Sequence, residues 1–462
     1  QERYQLSSYK LMNQLLKTID VTVGGQKDIQ LLDQIEANIH IIGVDSDLFF
    51  TAEENRETHK KLALTKGNVT YNEINSVHGH DAFLIEYDQL EKIIAPIFNK
   101  DYKEKKLKIL KFGGKSLANG KGLENVIEII ANKFKEGERI AVVASARGDA
   151  TNNLEAILEK AKLKEEYKTA FDEFKKYQLE PNTSIDFSKE FLKLETIFEG
   201  VCLLGDYSKK IKDEVLAQGE LLAVRLISSL LEQKGVSSKP VDTRSLIVSD
   251  DNFGNAQPLT AISKENVINY FKKNSNVVSV VTGFIAANKK RETTTLGRNG
   301  SNYSAALLAN FLDAEELQNY THVSGIFTAD PKLVADAKKI DQLSFNEANE
   351  LATFGTNLLH AKTIIPLLEK NINLRILNTF NLQDKGTLIS ANSTSKGIKT
   401  ISTIENMAMI NFEGRGLLGK VGVDARIFNA LSKANISVNI IAQGSSERGV
   451  GLVFNAENTT RA

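Results

Sequence analysis

A short apolar segment that runs into two glycines constrains this chain more than any other feature. Residues 107–116 read Leu-Lys-Ile-Leu-Lys-Phe-Gly-Gly-Lys-Ser. A strand that enters a glycine pair and then a helix lets backbone N–H groups approach phosphate oxygens, and the positive end of the helix faces the same place. Lys111 adds a full positive charge beside Gly113 and Gly114. The segment predicts an α/β fold with a phosphate-binding turn, although the same turn is often purely structural.

The composition excludes several classes of protein. The 58 basic residues balance the 58 acidic ones, so charge gives no reason to expect a nucleic-acid or membrane partner. No apolar stretch approaches the roughly 18 residues of a membrane span. Cys202 is the single cysteine, which rules out a disulfide within the chain and favours a cytoplasmic protein. The length allows about two to four domains. Because the chain starts at Gln1 and stops after a strand-like run, we expect a piece of a longer polypeptide.

Two segments of the first hundred residues place first an acid and then a histidine after successive strand-like runs. Residues 40–48 read His-Ile-Ile-Gly-Val-Asp-Ser-Asp-Leu, which predicts a buried strand that ends in carboxylates. The strand-like residues 69–74 precede residues 76–84, which read Ser-Val-His-Gly-His-Asp-Ala-Phe-Leu. In α/β-hydrolases the triad acid and then the triad histidine follow late strands, and the acid orients the imidazole that activates a serine. A surface loop rich in His and Asp is the simpler alternative.

These residues resemble the C-terminal end of homoserine O-acetyltransferases. The resemblance implies that residues 1–98 are a partial α/β-hydrolase domain, with Asp47 as the triad acid and His80 as the triad base. Asp45 and His78 are neighbours that could be mistaken for them. No Gly-x-Ser-x-Gly nucleophile motif occurs in the sequence. The incomplete triad therefore cannot perform acyl transfer by itself, and we expect such a partial domain to expose apolar surface.

Strand-like runs alternate with helical patterns from residue 107 to residue 392, after a charged stretch at 99–106 that we expect to be a linker. Residues 140–145 and 277–285 are apolar and rich in β-branched residues, whereas residues 214–233 have a helical pattern. This alternation predicts a mainly parallel sheet that is covered by helices on both faces.

Ordered motifs in this region and after it carry a family resemblance. Residues 293–304 read Thr-Thr-Thr-Leu-Gly-Arg-Asn-Gly-Ser-Asn-Tyr-Ser, residues 327–331 read Phe-Thr-Ala-Asp-Pro, and residues 443–448 read Gln-Gly-Ser-Ser-Glu-Arg. With the glycine turn they resemble the aspartokinases, and most closely the aspartokinase half of aspartokinase–homoserine dehydrogenase fusions. The resemblance implies an amino-acid-kinase αβα sandwich over residues 107–392. It also implies phosphorylation of the side-chain carboxylate of L-aspartate by ATP, with Mg²⁺ carried by the nucleotide.

The residues expected to perform this reaction fall into two groups, because it needs a clamp on the amino acid and positive charge around the phosphoryl group. Arg298 can pair with a carboxylate through two hydrogen bonds, and Glu220 can hold an ammonium group. By resemblance, the catalytic residues are Lys111, Glu220 and Arg298. The amino acid is bound by Glu220, Phe284, Thr295, Arg298, Gly300 and Ser301, with Thr295 and Ser301 as donors and Phe284 as a wall. The nucleotide is bound by Lys111, Gly113, Gly114, Ser116, Ser145, Thr321, Asp330 and Lys332.

The nucleotide side departs from the family pattern. The differences are Lys115 for threonine, Asn302 for aspartate, Thr-His-Val-Ser-Gly at 321–325 for Thr-Asp-Val-Asp-Gly, Phe327 for tyrosine, Lys332 for arginine and Asn357 for lysine. Losing one charged hydrogen bond costs roughly 1.5–3 kcal/mol. Two hypotheses therefore stand: an active aspartate kinase, in which Lys115 partly substitutes for the lysine lost at Asn357, or a degenerate kinase domain that acts as an amino-acid-binding regulatory scaffold.

The last segment, residues 393–462, has a β-α-β pattern. It predicts a strand at 407–412, a turn at 413–416, a helix at about 423–434 and a strand at 436–442. The pattern resembles an ACT domain, the amino-acid-binding module of aspartokinases, of which we expect only an incomplete copy here.

The ACT resemblance has consequences for partners. It implies that Gln443 binds an effector, threonine or lysine, and that the protein forms a homo-oligomer through the ACT region. The whole resemblance implies a fused enzyme of the aspartate pathway, in which a homoserine dehydrogenase follows residue 462. In the alternative reading, the chief activity of the parent protein is homoserine O-acetyl transfer, on the route to methionine.

Overall fold

The computed structural model describes residues 35, 37–64, 67–98, 106–182, 184–354, 360–392, 397–414, 421–443 and 449–462. The chain divides into two compact units, Gln1–Lys105 and Lys106–Ala462. Within the described ranges, no helix combines the length and the apolar character that crossing a membrane requires.

The N-terminal unit is built around two parallel strands. Its elements are β1 (Ile39–Val44), α1 (Ala52–Ala63), β2 (Val69–Ile74), a 3-10 helix (Gly79–Leu84) and α2 (Tyr87–Phe98). β1 pairs with β2 from Ile39 opposite Val69 onwards, and α1 makes the crossover that parallel neighbours require. α1 begins at Thr51, whose hydroxyl accepts the N–H of Glu54. Because the strands are parallel, their carboxyl ends lie side by side, and the predicted acid and histidine follow these two ends.

The core of the N-terminal unit is small. Val44, Ile74 and Ala82 are buried at its centre. Four large apolar side chains after the two strands are mostly exposed instead: Leu48, Phe49, Phe50 and Val77. An apolar surface of this kind marks a place where other protein or a ligand packs.

The Lys106–Ala462 unit contains a central sheet of eight strands. The strands up to residue 390 are β3 (Lys108–Phe112), β4 (Ile140–Ala144), β5 (Ser238–Val241), β6 (Val248–Ser249), β7 (Val278–Thr282), β8 (Ile285–Asn288), β9 (Thr293–Thr295), β10 (Glu316–Thr321), β11 (Ile326–Phe327), β12 (Lys339–Ile340), β13 (Gln342–Ser344), β14 (Asn373–Asn378) and β15 (Thr387–Ser390). Their order in the sheet is β13-β15-β14-β10-β3-β4-β7-β5. All neighbours are parallel except β14 and β15. The predicted mainly parallel sheet is confirmed.

Helices cover both faces of this sheet, as predicted. They are α3 (Lys121–Lys135), α4 (Ala150–Lys162), α5 (Lys168–Leu179), α6 (Ser188–Leu204), α7 (Lys209–Gln233), α8 (Thr260–Lys273), α9 (Gly300–Phe311), α10 (Phe345–Phe354) and α11 (Ala361–Lys370). Helices α3 to α7 share one hydrophobic cluster with Leu110 and Phe112, whereas α8 to α11 share the other with Ile109. Because successive side chains of a strand point to opposite faces, β3 is buried on both sides.

The predicted continuous strand at 277–285 is wrong, because the chain breaks at Gly283 and Phe284. Phe284 has φ +67°, and a Cβ on Gly283 would lie 2.6 Å from the Cβ of Ser301. The close approach of α9 therefore requires glycine, and the backbone turns out of the main sheet. β8 then pairs with β6 and β9 in a separate sheet.

The C-terminal elements form a small antiparallel sheet with one helix. They are β16 (Met407–Glu413), α12 (Val423–Lys433), β17 (Ile440–Gln443) and β18 (Gly449–Asn455), and the strand order is β16-β18-β17. The predicted strand at 436–442 is wrong at its start, because Ile436 is buried in the core beneath the helix. β18 is an additional strand, and it lies between the other two. The predicted turn at 413–416 falls partly outside the described residues.

Gly386→Ala should destabilise this unit strongly. Gly386 has φ +65°, and a Cβ there would lie 1.9 Å from the carbonyl oxygen of Ile376 on β14. Gly235→Ala is the matched control, because Gly235 has φ +77° but nothing within 4 Å of its Cβ position. We expect the control to cost ~1–2 kcal/mol and Gly386→Ala clearly more, measured as thermal midpoints by circular dichroism. Equal midpoints for the two variants would contradict the described joining of β14 to β15.

Candidate functional site

A cleft of about 1080 Å³ opens where several strands of the main sheet end. The carboxyl ends of β3 and β4 and the break after β7 meet at this edge, which is where open α/β sheets bind their ligands. Nine residues predicted from the sequence line the cleft: Lys111, Gly114, Ser145, Glu220, Phe284, Thr295, Arg298, Gly300 and Ser301. The tertiary structure thus brings together segments that are 190 residues apart, from Lys111 to Ser301.

Helix α7 supplies one wall of the cleft. Lys209, Lys212, Asp213, Leu216 and Glu220 line it, and their spacing of three, four and seven residues places them on one face of the helix. Sequence analysis found Glu220 and missed the other four. Residues that precede Glu220 at helical spacing share its face of α7, and this pattern could have identified the other four.

Glu220 is buried and only half satisfied. Its Oε1 accepts the N–H of Ala146 at 3.1 Å, whereas Oε2 has no hydrogen-bond partner among the described atoms. Burial raises the pKa of the Glu220 carboxyl to about 8. A buried carboxylate oxygen without a partner in a cleft can accept a hydrogen bond from a bound cationic group.

Lys111 is the buried positive charge of the cleft. Burial lowers the pKa of its ammonium group to about 8. A Cβ placed on Gly113 would lie 3.4 Å from Lys111 Nζ, so the ammonium lies over the glycine turn. Among the described residues it makes no ion pair within 4.0 Å. It is therefore available to an anionic ligand.

The glycine turn packs against the turn that follows β4. A Cβ on Gly114 would lie 2.7 Å from the carbonyl oxygen of Gly148 and 2.9 Å from that of Ala146. The N–H of Gly148 in turn donates to the carbonyl oxygen of Gly114 at 2.8 Å. Glycine is needed here because no side chain fits between the two backbones.

The opposite wall is formed by β9 and the start of α9. The Phe284 N–H donates to Ser304 Oγ at 3.0 Å, and a Cβ on Gly300 would lie 2.7 Å from the Phe284 ring. Arg298 is exposed at the mouth of the cleft, and no carboxylate among the described residues lies within 4.0 Å of its guanidinium. Its charge is available to an anionic group.

Asp213 is a site residue that sequence analysis missed. Its Oδ2 accepts the N–H groups of Gly254 at 2.8 Å and Thr295 at 2.9 Å, and its Oδ1 accepts the Thr295 hydroxyl at 2.9 Å. The Thr295 hydroxyl, a predicted donor, thus lies 2.9 Å from an acceptor inside the protein, Asp213 Oδ1, which sequence analysis did not anticipate.

Five predicted residues lie elsewhere in this unit. Ser116 is fully buried and its hydroxyl bonds to Thr379 and to the Tyr320 carbonyl, so its side chain faces the interior and not the cleft. Thr321 ends β10, next to the glycine turn. The remaining three are exposed, namely Asp330, Lys332 and Gln443. Gly113 borders the cleft without lining it. Asn357 lies outside the described residues.

Other lining residues carried no sequence signal that we used, among them Thr151, Asn152 and Glu155 of α4 and the loop 252–255. Asn302 of α9, which sequence analysis noted only as a departure from the family's aspartate, also lines the cleft. Asn302 is buried and its Oδ1 has no partner among the described atoms. An unsatisfied buried amide oxygen in a cleft is a further place for a ligand donor.

The N-terminal unit pairs the predicted acid with the predicted histidine. His80 Nδ1 lies 2.8 Å from Asp47 Oδ2. Asp47 Oδ1 accepts the N–H groups of Phe49 at 2.7 Å and Phe50 at 3.1 Å. The hydrogen bond with His80 is the main cause that lowers the pKa of Asp47. The His80 side chain is half exposed.

The neighbours of this pair have structural contacts instead. Asp45 Oδ1 accepts the N–H of Ser76 at 2.9 Å, and the His78 N–H donates to Ser76 Oγ at 3.2 Å. Asp45 therefore holds the loop that carries His80, and Asp47 orients the ring.

Comparison with known proteins identifies relatives of this architecture. Residues 106–378 match the amino acid kinase family, and residues 410–462 match an ACT domain. The chain is 34% identical over 362 residues to the bifunctional aspartokinase/homoserine dehydrogenase of Haemophilus influenzae, covering 74% of this chain and 44% of the relative. It is 29% identical to the lysine-sensitive aspartokinase 3 of Escherichia coli, covering 76% and 79%. The chain thus spans less than half of the bifunctional relative.

Two solved structures are similar to this one. The crystal structure of E. coli aspartokinase III in complex with aspartate and ADP has a TM-score of 0.67 at 30% identity, covering 76% of this chain and 78% of that chain. The same enzyme in complex with lysine and aspartate has a TM-score of 0.61 at 28% identity, covering 76% and 79%. The predicted kinase fold followed by an ACT domain is confirmed.

Glu220→Gln should stabilise the unliganded protein in alkaline solution. Burial raises the folded-state pKa of Glu220 from the ordinary 4.5 to about 8. The free energy of unfolding therefore decreases as the pH rises from the lower pKa to the higher one, because the unfolded chain loses the proton first. Glutamine does not ionise, so the variant's thermal midpoint should exceed that of the wild type at about pH 9 and converge with it near pH 5. Glu232→Gln, at an exposed position of α7, is the control. A variant less stable than the wild type at pH 9 would refute this.

Proposed function

Because the chain belongs to the aspartokinase family, we propose that its kinase domain phosphorylates the side-chain carboxylate of L-aspartate with ATP. The observation that carries this proposal is a pair of buried titratable groups in the cleft. Among the described residues, Glu220 Oε2 has no hydrogen-bond partner and the Lys111 ammonium has no ion-pair partner. Each costs folding free energy in the unliganded protein, and such costs are typical of sites that bind ligands. A cleft that had lost its ligands would be more stable with neutral side chains at both positions.

The amino-acid side of the proposed site combines opposite charges. Glu220 accepts hydrogen bonds from the substrate ammonium, and Arg298 pairs with a carboxylate. Phe284 forms a wall, and the backbone around Gly300 and Ser301 closes the end of the cleft. Aspartate carries one ammonium and two carboxylates, so this arrangement orients it with its side chain towards Lys111.

The nucleotide side of the proposed site surrounds the glycine turn. Lys111 neutralises charge on the transferred phosphoryl group, while the backbone at Gly113 and Gly114 and the Ser145 turn approach the other phosphate oxygens. The aspartokinase III structure solved with aspartate and ADP supports a nucleotide here. We further propose that Thr321, Asp330 and Lys332 contact the nucleotide beyond the cleft.

A magnesium ion is proposed to enter with the nucleotide. Of the residues that the structure describes, no group of three His, Cys, Asp or Glu side chains could hold a metal ion. When bound, Mg²⁺ would neutralise phosphate charge, while the residues of this chain position the two substrates.

Regulation is proposed to act through the ACT domain. The aspartokinase III structure with lysine and aspartate supports an amino-acid effector, with lysine or threonine as the candidates and Gln443 as a contact. We also propose that copies of the chain pair through this sheet, because the apolar Met409 and Ile440 are exposed on the strands that flank β18. The proposed domains are 107–392 for the kinase and 393–462 for the ACT region.

Aspartate-dependent ADP release with Mg-ATP tests the kinase proposal on the full chain. Arg298→Lys keeps the charge but removes the planar fork, so kcat/KM for aspartate should fall roughly ten- to a hundredfold. Arg298→Ala should lower kcat/KM for aspartate by at least the same factor. Arg139→Ala, an exposed arginine at the opposite end of β4, should behave as the wild type.

The alternative role, a regulatory scaffold, predicts a different outcome. A folded wild-type chain that binds aspartate or lysine but releases no ADP at high protein concentration would overturn the kinase proposal. The substitutions on the nucleotide side would then explain the loss.

A second function is proposed for the N-terminal unit, with residues 1–98 as the C-terminal part of a homoserine O-acetyltransferase domain and 99–106 as a linker. The observation in its favour is the 2.8 Å hydrogen bond between His80 and Asp47, which leaves the other ring nitrogen on a half-exposed side chain. This is the orientation of an acid–histidine pair that serves a serine nucleophile. The exposed Phe49 and Phe50 beside it are where the remainder of such a domain would pack.

Homoserine-dependent release of CoA from acetyl-CoA tests this second function on the polypeptide as the organism makes it. His80→Gln should abolish transfer, and Asp47→Asn should lower kcat by roughly 10⁴-fold, because asparagine no longer fixes the ring tautomer. Neither variant should change aspartate-dependent ADP release. Glu57→Gln, at an exposed position of α1, is the matched control and should leave acetyl transfer unchanged. Acetyl transfer that survives both His80→Gln and Asp47→Asn would rule the proposal out.

A further inference from the structure

Asp213 is a buried carboxylate that joins three walls of the cleft. It lies on α7, and only 1% of it is exposed. All three of its hydrogen bonds go to other lining segments, namely the loop 252–255 through Gly254 and strand β9 through Thr295. Burial raises the pKa of Asp213, while these hydrogen bonds act in the opposite direction. The two backbone N–H groups on Oδ2 are fixed donors, so the carboxylate orientation is determined by the fold.

This geometry decides which way the Thr295 hydroxyl points its hydrogen. A hydroxyl has one hydrogen to donate and two lone pairs that accept. Because an ionised carboxylate can only accept, the Thr295 hydrogen is committed to Asp213 Oδ1 at 2.9 Å. Towards a ligand, the Thr295 oxygen can offer lone pairs alone. It therefore repels a carboxylate and attracts an N–H donor.

The acceptor character of Thr295 matches that of Glu220. Asp213 and Glu220 are seven residues apart on α7, about 10.5 Å along the axis at 1.5 Å per residue, and both line the same cleft. Glu220 Oε2 is a second acceptor site, and it has no partner among the atoms that the structure describes. Arg298, by contrast, offers only donors. The cleft thus has acceptors at Thr295 and Glu220 and a donor group at Arg298, while Lys209 and Lys212 add positive charge on α7.

We propose that Asp213 is a positioning residue which sets the hydrogen-bond polarity of Thr295, so that the Thr295 hydroxyl accepts a hydrogen bond from the substrate ammonium. The inference rests on the proposed aspartate kinase function and deepens it. Asp213 touches no substrate itself. Through Thr295 it contributes to the discrimination between an amino acid and the same dicarboxylate without its amino group.

Asp213→Asn is a near-isosteric variant that reverses this polarity. The two backbone N–H groups that face Oδ2 require an acceptor there, so the amide places its oxygen at that position. Its NH₂ group then lies at the Oδ1 position and donates to Thr295 Oγ. The Thr295 hydrogen must turn away from residue 213, and the hydroxyl becomes a donor towards the cleft.

The experiment measures dissociation constants of the full chain for L-aspartate, succinate and ADP by calorimetry. Succinate carries both carboxylates of aspartate without the ammonium. For Asp213→Asn we expect aspartate affinity to fall roughly ten- to a hundredfold, succinate affinity to stay equal or rise, and ADP affinity to stay equal. Asp172→Asn, an exposed position on α5, is the matched control and should change none of the three.

A double-mutant cycle separates positioning from general structural support. Thr295→Val removes the hydroxyl. In the wild-type background it should lower the affinity for aspartate by a similar factor, but in Asp213→Asn it should lower that affinity little further. Unchanged aspartate affinity in Asp213→Asn would overturn the proposal. Parallel losses for aspartate, succinate and ADP would also overturn it, because they would show a merely structural role.

A second comparison keeps the proposal testable if Asp213→Asn fails to fold. Thr295→Val should then weaken the binding of aspartate more than that of succinate. Thr295→Ser should bind aspartate almost as tightly as the wild type, since serine keeps the hydroxyl. Equal behaviour of the valine and serine variants would refute the proposal. A wild-type chain that binds neither aspartate nor ADP would refute the kinase function itself, which is a different result from a failure confined to the variants.

Discussion

Helix α7 lies against the turn after β4 with no side chain between them, and this close contact determines most of the cleft. A Cβ on Gly219 would lie 2.8 Å from the Cβ of Ala146, and the next residue, Glu220, accepts the Ala146 N–H. The helix axis is thereby fixed relative to the sheet edge. Asp213, two turns earlier, then reaches the loop at Gly254 and strand β9. The Gly219 contact therefore positions both acids of α7 relative to the turn after β4.

Buried charges in this unit are of two kinds, and the difference separates scaffold from site. Arg147 is fully buried, but its guanidinium donates to Asn119 Oδ1 and to the carbonyl and side-chain oxygens around residues 177–178. Those bonds join the β4 turn to α5. Among the described residues, Glu220 and Lys111 lack comparable partners, and burial shifts the pKa of each to about 8. The first arrangement stabilises the fold, whereas the second leaves two titratable groups available to a ligand at a cost in stability.

The two units use a buried carboxylate in the same way. Asp47 accepts two backbone N–H groups through one oxygen and orients His80 through the other. Asp213 accepts two backbone N–H groups through one oxygen and orients Thr295 through the other. In both cases the backbone bonds fix the carboxylate, and the carboxylate fixes the polarity of a neighbouring side chain.

Local sequence determined the elements and the chemistry that follows from them. The run into Gly113 and Gly114 and the alternation of strands and helices were enough to predict the mainly parallel sheet. The nine residues of its cleft were predicted by the family resemblance that the motifs carry. These signals are short in range, because periodicity and glycine requirements act within a few residues. The acid–histidine order likewise placed Asp47 and His80 after successive strands, where the structure pairs them.

Only the tertiary structure decided features that depend on contacts between distant segments. Asp213 became part of the cleft because β9, some 82 residues later, donates to it. The same contact gave the Thr295 hydroxyl an acceptor inside the protein, Asp213 Oδ1. Packing of Ser301 against Gly283 broke the predicted strand, and Thr379 drew Ser116 into the interior. Hydrogen-bond direction and close approach are properties of pairs of segments, and no pattern within a single segment specifies its partner.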